Sequence, residues 1–288
     1  MFLNFLLNII AFFGLISGSQ SFYYPSSIIE LENLPLDFSL SADKAAVFAE
    51  EQRSFLYTKK IDEPQPIASI TKLMTAIIFL EEKPNLNKIY KITEDDRVEG
   101  GRIHLFLGDE LTLKDLFYTS LIASDNGATL AMVHALGLKE EDFILKMNAK
   151  AKSLNLLNTS FEDPIGLGEE NISTAREIIT LFKEAKKYPE ITEAILLPEY
   201  RYETVQGREK IIESTDEYLL TNKDFDLTSF GGKTGYIDEA GYCFVGEFKN
   251  QQGESFIVAV LNSNDKNSRF SESQNLIKWL NEKYELNK

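Results

Sequence analysis

Three short motifs stand in order along the chain: Ser69-Ile70-Thr71-Lys72, Ser124-Asp125-Asn126 and Lys233-Thr234-Gly235. In the first, a hydroxyl and an amine are three residues apart, so on a helix both lie on one face and can meet. A serine becomes a nucleophile only with a base beside it. The chain has just two histidines, His104 and His134, so Lys72 is the available base for Ser69. The helix that follows is apolar on nearly every face, and a lysine there has little water to reach. Desolvation lowers its pKa and lets it act as a neutral base near pH 7. In the second motif Ser124 can pass a proton to a leaving amine, and Asn126 can hydrogen-bond a substrate amide. The third lies on a strand bounded by Gly231, Gly232, Gly235 and Gly241. Such a strand lets a ligand backbone approach closely, and the cation of Lys233 with the hydroxyl of Thr234 suits a terminal carboxylate.

The motifs differ in specificity. Ser-x-x-Lys occurs at Ser41/Lys44, Ser69/Lys72 and Ser263/Lys266, and Ser-x-Asn recurs at Ser153/Asn155 and Ser273/Asn275. Neither carries weight alone; the ordered set of three does. Context separates the serines. Ser41 precedes a strand and Ser263 lies in a polar turn, both suited to solvated surface. Ser69 follows Pro66-Ile67-Ala68 at the start of the apolar helix, where free backbone N–H groups and the positive end of the helix dipole face its oxygen.

Several elements must position these groups. Ala45–Glu51 and Ser54–Lys60 have strand composition and are expected to pair as a hairpin around Glu51-Gln52-Arg53. The run Ile70, Leu73, Met74, Ala76, Ile77, Ile78, Phe79, Leu80 predicts a helix buried in the middle of a domain. Helical patterns follow at 112–123, 127–136, 139–154 and 173–187, the last opening at Ser173. Strand patterns return at Arg201–Gln206, Gly232–Tyr236, Gly241–Lys249 and Ser255–Asn262, the last three spaced as an antiparallel meander. A closing helix over 269–285 carries Phe270, Leu276, Ile277, Trp279 and Leu280 as its apolar stripe. Strands, then helices, then strands and a final helix predict an α+β fold, with an antiparallel sheet sharing one core with a helical lobe.

Composition narrows the function. Thirty Lys and Arg against 45 Asp and Glu give a net charge of −15, the wrong sign for tracking phosphates, so no nucleic-acid partner is expected. One cysteine, Cys243, excludes an internal disulfide and Cys-based zinc sites, and with two histidines no metal centre or cofactor is called for. No charged side chain precedes Glu30, and Phe2–Ile16 is an apolar run interrupted only by Asn4, Asn8 and Gly14 and followed by Ser17, Gly18 and Ser19. At roughly 15 residues it is short for a spanning helix. It reads as a signal peptide or signal anchor over 1–21, with a tether over 22–40 and the catalytic domain over 41–288. The remainder is expected on the outer face of the cytoplasmic membrane.

The segments around the motifs extend the pattern. Pro66-Ile67-Ala68-Ser69-Ile70-Thr71-Lys72-Leu73-Met74-Thr75-Ala76 and Lys233-Thr234-Gly235-Tyr236-Ile237-Asp238-Glu239-Ala240-Gly241-Tyr242-Cys243 closely resemble the D-alanyl-D-alanine carboxypeptidases, the low-molecular-mass penicillin-binding proteins. Met147-Asn148, Asn158-Thr159-Ser160-Phe161, Asp163-Pro164-x-Gly166-Leu167 and Ser173-Thr174-Ala175 look like that family's connecting landmarks, and the resemblance spans about residues 44–285. It implies the fold shared by these proteins and serine β-lactamases, a sheet of about five antiparallel strands flanked by helices. It also implies acyl transfer on peptidoglycan stem peptides. On that likeness Ser69 attacks the penultimate D-alanine carbonyl with Lys72 as base, and Ser124, with Lys233, protonates the departing D-alanine. Asn126 orients the peptide, and Lys233 and Thr234 bind its carboxylate. Backbone N–H groups of Ser69 and Tyr236, the residue after Gly235, would form the oxyanion hole. β-Lactam antibiotics would acylate Ser69.

Two departures stand out. The second motif is Ser-Asp-Asn followed by Gly127, where the carboxypeptidases more often have Ser-Gly-Asn or Ser-Ala-Asn followed by Asp. The chain also stops just after its closing helix, so membrane attachment is expected from the N-terminus. A class A β-lactamase also carries Ser-Asp-Asn and needs a glutamate to activate water; Glu162, Glu169 and Glu170 fall in the right interval, but its Glu-x-x-x-Asn arrangement is missing. A DD-endopeptidase or transpeptidase of the same fold, and a non-catalytic wall-binding homologue, are the other readings.

Overall fold

A computed structural model describes residues 36–98, 103–221 and 227–283. The expected signal segment and most of the expected tether lie outside these residues. Five strands form one antiparallel sheet: β1 (Lys44–Ala49), β2 (Ser54–Lys59), β3 (Thr228–Gly235), β4 (Tyr242–Lys249) and β5 (Ser255–Ser263), in the spatial order β2-β1-β5-β4-β3. β1 and β2 are the expected hairpin and β3 to β5 the expected meander. β1 pairs with β5, Val47 opposite Val258, so strands from the two ends of the described chain close one sheet, and all the helices but the last lie between them in sequence.

The twofold alternation of a strand decides which core each residue enters. Val245, Ile257, Ala259 and Leu261 enter a large core built with the helices, whereas Phe244, Phe256, Val258 and Val260 enter a second core with Leu276, Trp279 and Leu280. Covered on both faces, β5 is buried almost throughout and reads as a continuous apolar run.

Eight helices lie among the described residues: α1 (Lys72–Glu81), α2 (Leu113–Ile122), α3 (Asn126–His134), α4 (Glu140–Ser153), α5 (Ala175–Ala185), α6 (Pro189–Ile195), α7 (Glu217–Thr221) and α8 (Ser268–Lys283). α1 is packed by α2, α3, α4 and α5, and every residue from Lys72 to Phe79 is buried, which is why its sequence is apolar all round.

The structure differs from expectation at several boundaries. Ser69 is not in α1 but in a 3-10 turn over Ala68–Thr71, and α1 begins at Lys72. α5 is capped by Thr174, which accepts the Glu177 N–H at 3.1 Å, because Ser173 is taken up in a two-residue ribbon against Gln65. The strand expected from Arg201 covers Glu199–Glu203 and pairs with Glu209–Glu213, since the chain turns at Thr204, whose N–H donates to the Arg208 carbonyl at 2.9 Å. α6, with Pro189 in its first turn, is additional.

Candidate active site

The backbone of the first motif is pinned from two sides. Ala68 has φ 49°, a left-handed conformation that costs a non-glycine residue about 1–3 kcal/mol. A Cβ on Gly166 would stand 2.1 Å from the Ala68 carbonyl oxygen, and one on Gly235 would stand 2.6 Å from that of Ile67. Both glycines are there so that loop and strand can close on the segment 67–69. Gly235 therefore admits the chain's own backbone on this side of the strand.

From the following turn of helix the Lys72 amine reaches 2.9 Å from Ser69 Oγ. It also lies 2.8 Å from Asn126 Oδ1 and 2.5 Å from the Ile165 carbonyl oxygen. That carbonyl is held by Asp163, whose carboxylate accepts the N–H groups of Ile165, Gly166 and Gly168 at 2.7, 2.5 and 2.6 Å. Lys72 is wholly buried, and burial pushes its amine down to about 7 against the pull of the Asp125 and Asp163 carboxylates. A large share of the amine is thus free base near neutral pH.

Ser124 sits between α2 and α3 with φ 58°, a second strained non-glycine position. The next residue, Asp125, caps α3 by accepting the Ala128 N–H at 2.7 Å, which places Asn126 as its first residue. Across the cleft, Lys233 Nζ donates to Ser124 Oγ at 2.7 Å and to the Thr234 carbonyl at 3.0 Å. Burial drives Lys233 well below its ordinary pKa, and the nearby charge of Lys72 drives it further, while Asp216 opposes. The Thr234 hydroxyl donates to Thr215 Oγ1 at 2.7 Å. Ser69, Ser124, Asn126, Thr234, Gly235 and Tyr236 line one cleft of about 480 Å³, with Lys72 and Lys233 reaching it through the two serines.

All eight residues singled out in the sequence therefore converge. The other Ser-x-x-Lys serines do not: the Ser41 backbone N–H donates to the Glu272 carboxylate at 2.6 Å, and the Ser263 hydroxyl donates to the same carboxylate at 2.8 Å. Neither histidine lines the cleft, nor do Glu162, Glu169 and Glu170; their loop presents Leu167 instead. Sequence reading missed Thr215, Arg269 and Asp216. Arg269 is buried at the start of α8, with Nη1 3.2 Å from the Gly235 carbonyl oxygen. A charge placed next to the apolar stripe of the closing helix was its signal. The role of Asp163 was visible only as a landmark, because three backbone N–H groups and the Asn171 amide folding onto one side chain leave no periodic trace.

Residues 32–265 match the family profile of the D-alanyl-D-alanine carboxypeptidases, peptidase family S11. The chain belongs to that family. It is a family of serine DD-peptidases, hydrolases that include penicillin-binding proteins. A D-alanyl-D-alanine endopeptidase of Pseudomonas aeruginosa is 29% identical over 86% of this chain and 79% of its own. The D-alanyl-D-alanine carboxypeptidase DacF of Bacillus subtilis is 33% identical over 76% of this chain, which spans 57% of that relative. The DD-transpeptidase of Streptomyces K15 superposes with a TM-score of 0.76 at 27% identity, covering 84% of this chain and 97% of that one. Penicillin-binding protein D2 of Listeria monocytogenes, solved in its cefotaxime-bound form, gives 0.72 at 29% identity over 85% and 99% of the two chains. The S11 fold is the five-stranded sheet with helices expected above.

Proposed function

We propose that this protein is a serine-type D-Ala-D-Ala carboxypeptidase that removes the terminal D-alanine from peptidoglycan stem peptides. The observation that carries the reading is the 2.9 Å contact between Ser69 Oγ and a buried Lys72 amine whose pKa lies at about 7. Ser69 loses its proton to Lys72 and bonds to the carbonyl carbon of the penultimate D-alanine. Backbone N–H groups of Ser69 and Tyr236 hold the oxyanion; such a donor is worth about 3–4 kcal/mol in the transition state. Ser124, fed by Lys233, returns a proton to the departing amine as the C–N bond breaks, and water then cleaves the ester. Asn126 aligns the peptide, while Lys233 and Thr234 hold the terminal carboxylate. β-Lactams enter the same path and stop at the Ser69 ester. No glutamate of the 162–170 loop lines the cleft to activate water, which favours a long-lived adduct over β-lactamase turnover.

A second reading, DD-endopeptidase, is favoured by two observations. Relatives carrying that name are 29–34% identical to this chain. The cleft is also lined by Glu213, Glu217, Lys266 and Asn267, which leaves space for a larger leaving group. Parallel assays with a D-Ala-D-Ala pentapeptide and a cross-linked peptide dimer separate the two. Faster release of D-alanine from the pentapeptide is expected; preferential splitting of the dimer would replace the carboxypeptidase reading. We also propose that the domain works outside the cytoplasmic membrane, delivered by its N-terminal apolar segment. Among the described residues no helix is long and apolar enough to cross a membrane.

A further inference from the structure

Both histidines clasp α3, one at each end. His134, its last residue, has Nδ1 2.7 Å from Asp96 Oδ1 and Nε2 3.2 Å from Glu140 Oε1. At the other end the His104 backbone N–H donates to Asp125 Oδ2 at 3.1 Å, and His104 Nδ1 lies 2.9 Å from the same oxygen. Opposite a carboxylate oxygen, Nδ1 is the donor. With the Ala128 N–H on Oδ1, three donors hold one buried carboxylate between Ser124 and Asn126. Asp125 is also where this chain departs from Ser-Gly-Asn and Ser-Ala-Asn, whose middle residue offers no side-chain acceptor.

We propose that His104 and Asp125 are positioning residues for acyl transfer: their pairing fixes the Ser124–Asn126 turn and, through Asn126, the place of the Lys72 amine beside Ser69. The inference rests on Lys72 being the base. Lys72 meets three acceptors. Ser69 Oγ is the one to be activated, so the direction of the amine is set by the other two, Ile165 O and Asn126 Oδ1. Asp163 anchors the first; the His104–Asp125 pair anchors the second. Misplacing a reacting group by about 1 Å costs on the order of a hundredfold. Asp125 has an electrostatic effect as well. The charged groups facing Lys72 are Asp125 beside α3, Asp163 on its loop and Lys233 on β3, and the Asp125 charge favours the protonated amine.

The test measures acylation of the intact enzyme by benzylpenicillin across pH, with peptide KM and Tm. Asp125→Ala and His104→Leu are expected to slow acylation about 10- to 100-fold with little change in KM. His104→Asn, whose amide offers a donor where Nδ1 stood, should recover most of the rate. Asp125→Asn keeps the cap and loses the charge, so the acid limb should move to lower pH. His134→Gln cuts the clasp at the far end of α3; it should lower Tm and leave acylation at the native rate. Native rates and pH profiles in Asp125→Ala and His104→Leu would overturn the inference, as would an equal slowing in His134→Gln. Lys72→Ala tells the two claims apart: if it acylates normally the base assignment fails, and if it is inert while Asp125→Ala is native only the positioning role fails.

Discussion

Two lysines are sealed into opposite walls of one cleft, and burial alone does not distinguish them: Lys72 is 0% exposed and Lys233 1%. Their surroundings do. Lys72 stands among two carboxylates, Asp125 and Asp163, and settles at about 7. Lys233 feels desolvation first, then the cations of Lys72 and Arg269 with Asp216 opposing, and is lowered well below its ordinary value. In the proposed reaction this difference assigns the parts. Lys72 is poised as a base before substrate arrives. In that reaction a bound terminal carboxylate adds a countercharge beside Lys233 and favours its protonated form. The unequal charge around two equally buried amines is what divides base from relay.

The comparison can be broken at several points. Lys72→Ala should cost the most, about 10³-fold in acylation by benzylpenicillin at pH 7, measured by stopped-flow or intact mass. Lys233→Ala should cost about 10²-fold in kcat/KM for the pentapeptide, with part of the loss in KM; an effect as large as that of Lys72→Ala would erase the distinction. Acylation should fall about tenfold per pH unit below 7, because only the neutral Lys72 amine accepts the Ser69 proton. Asp216 is itself pushed up to about 6 by burial, and its charge opposes the lowering of Lys233. Asp216→Asn should lower kcat/KM about tenfold and move the alkaline limb to lower pH, since the Lys233 proton is then lost sooner. Smallest in activity is Gly166→Ala, which drives a Cβ toward the Ala68 carbonyl. It should lower Tm by roughly 5 °C, and an unchanged Tm would show that the loop does not pin the nucleophile turn.

Much of this arrangement was legible in the residues. The apolar run after Ile70 marked a helix with no wet face, and a serine and a lysine three apart at its start could meet on one face. The meander of β3 to β5 was readable because its apolar runs are long and separated by turn residues. The start of α1 was not readable. Ser69 looks like a helix residue by spacing, and only the left-handed Ala68, wedged between Gly166 and Gly235, shows why a 3-10 turn precedes the helix. Ser173 and Thr174 are equally good caps in sequence; a tertiary partner, Gln65, decides between them. Thr215 and Asp216 stayed hidden for the same reason, since nothing local marks a loop residue that will face Thr234 or Lys233 from another part of the chain.

The most direct test of the central claim is D-alanine release from a D-Ala-D-Ala pentapeptide by the native protein and by Ser69→Ala. One D-alanine should be freed per peptide by the native enzyme and none above background by the variant. Release at a comparable rate from Ser69→Ala would contradict the account, because the hydroxyl beside Lys72 would then not be what opens the bond.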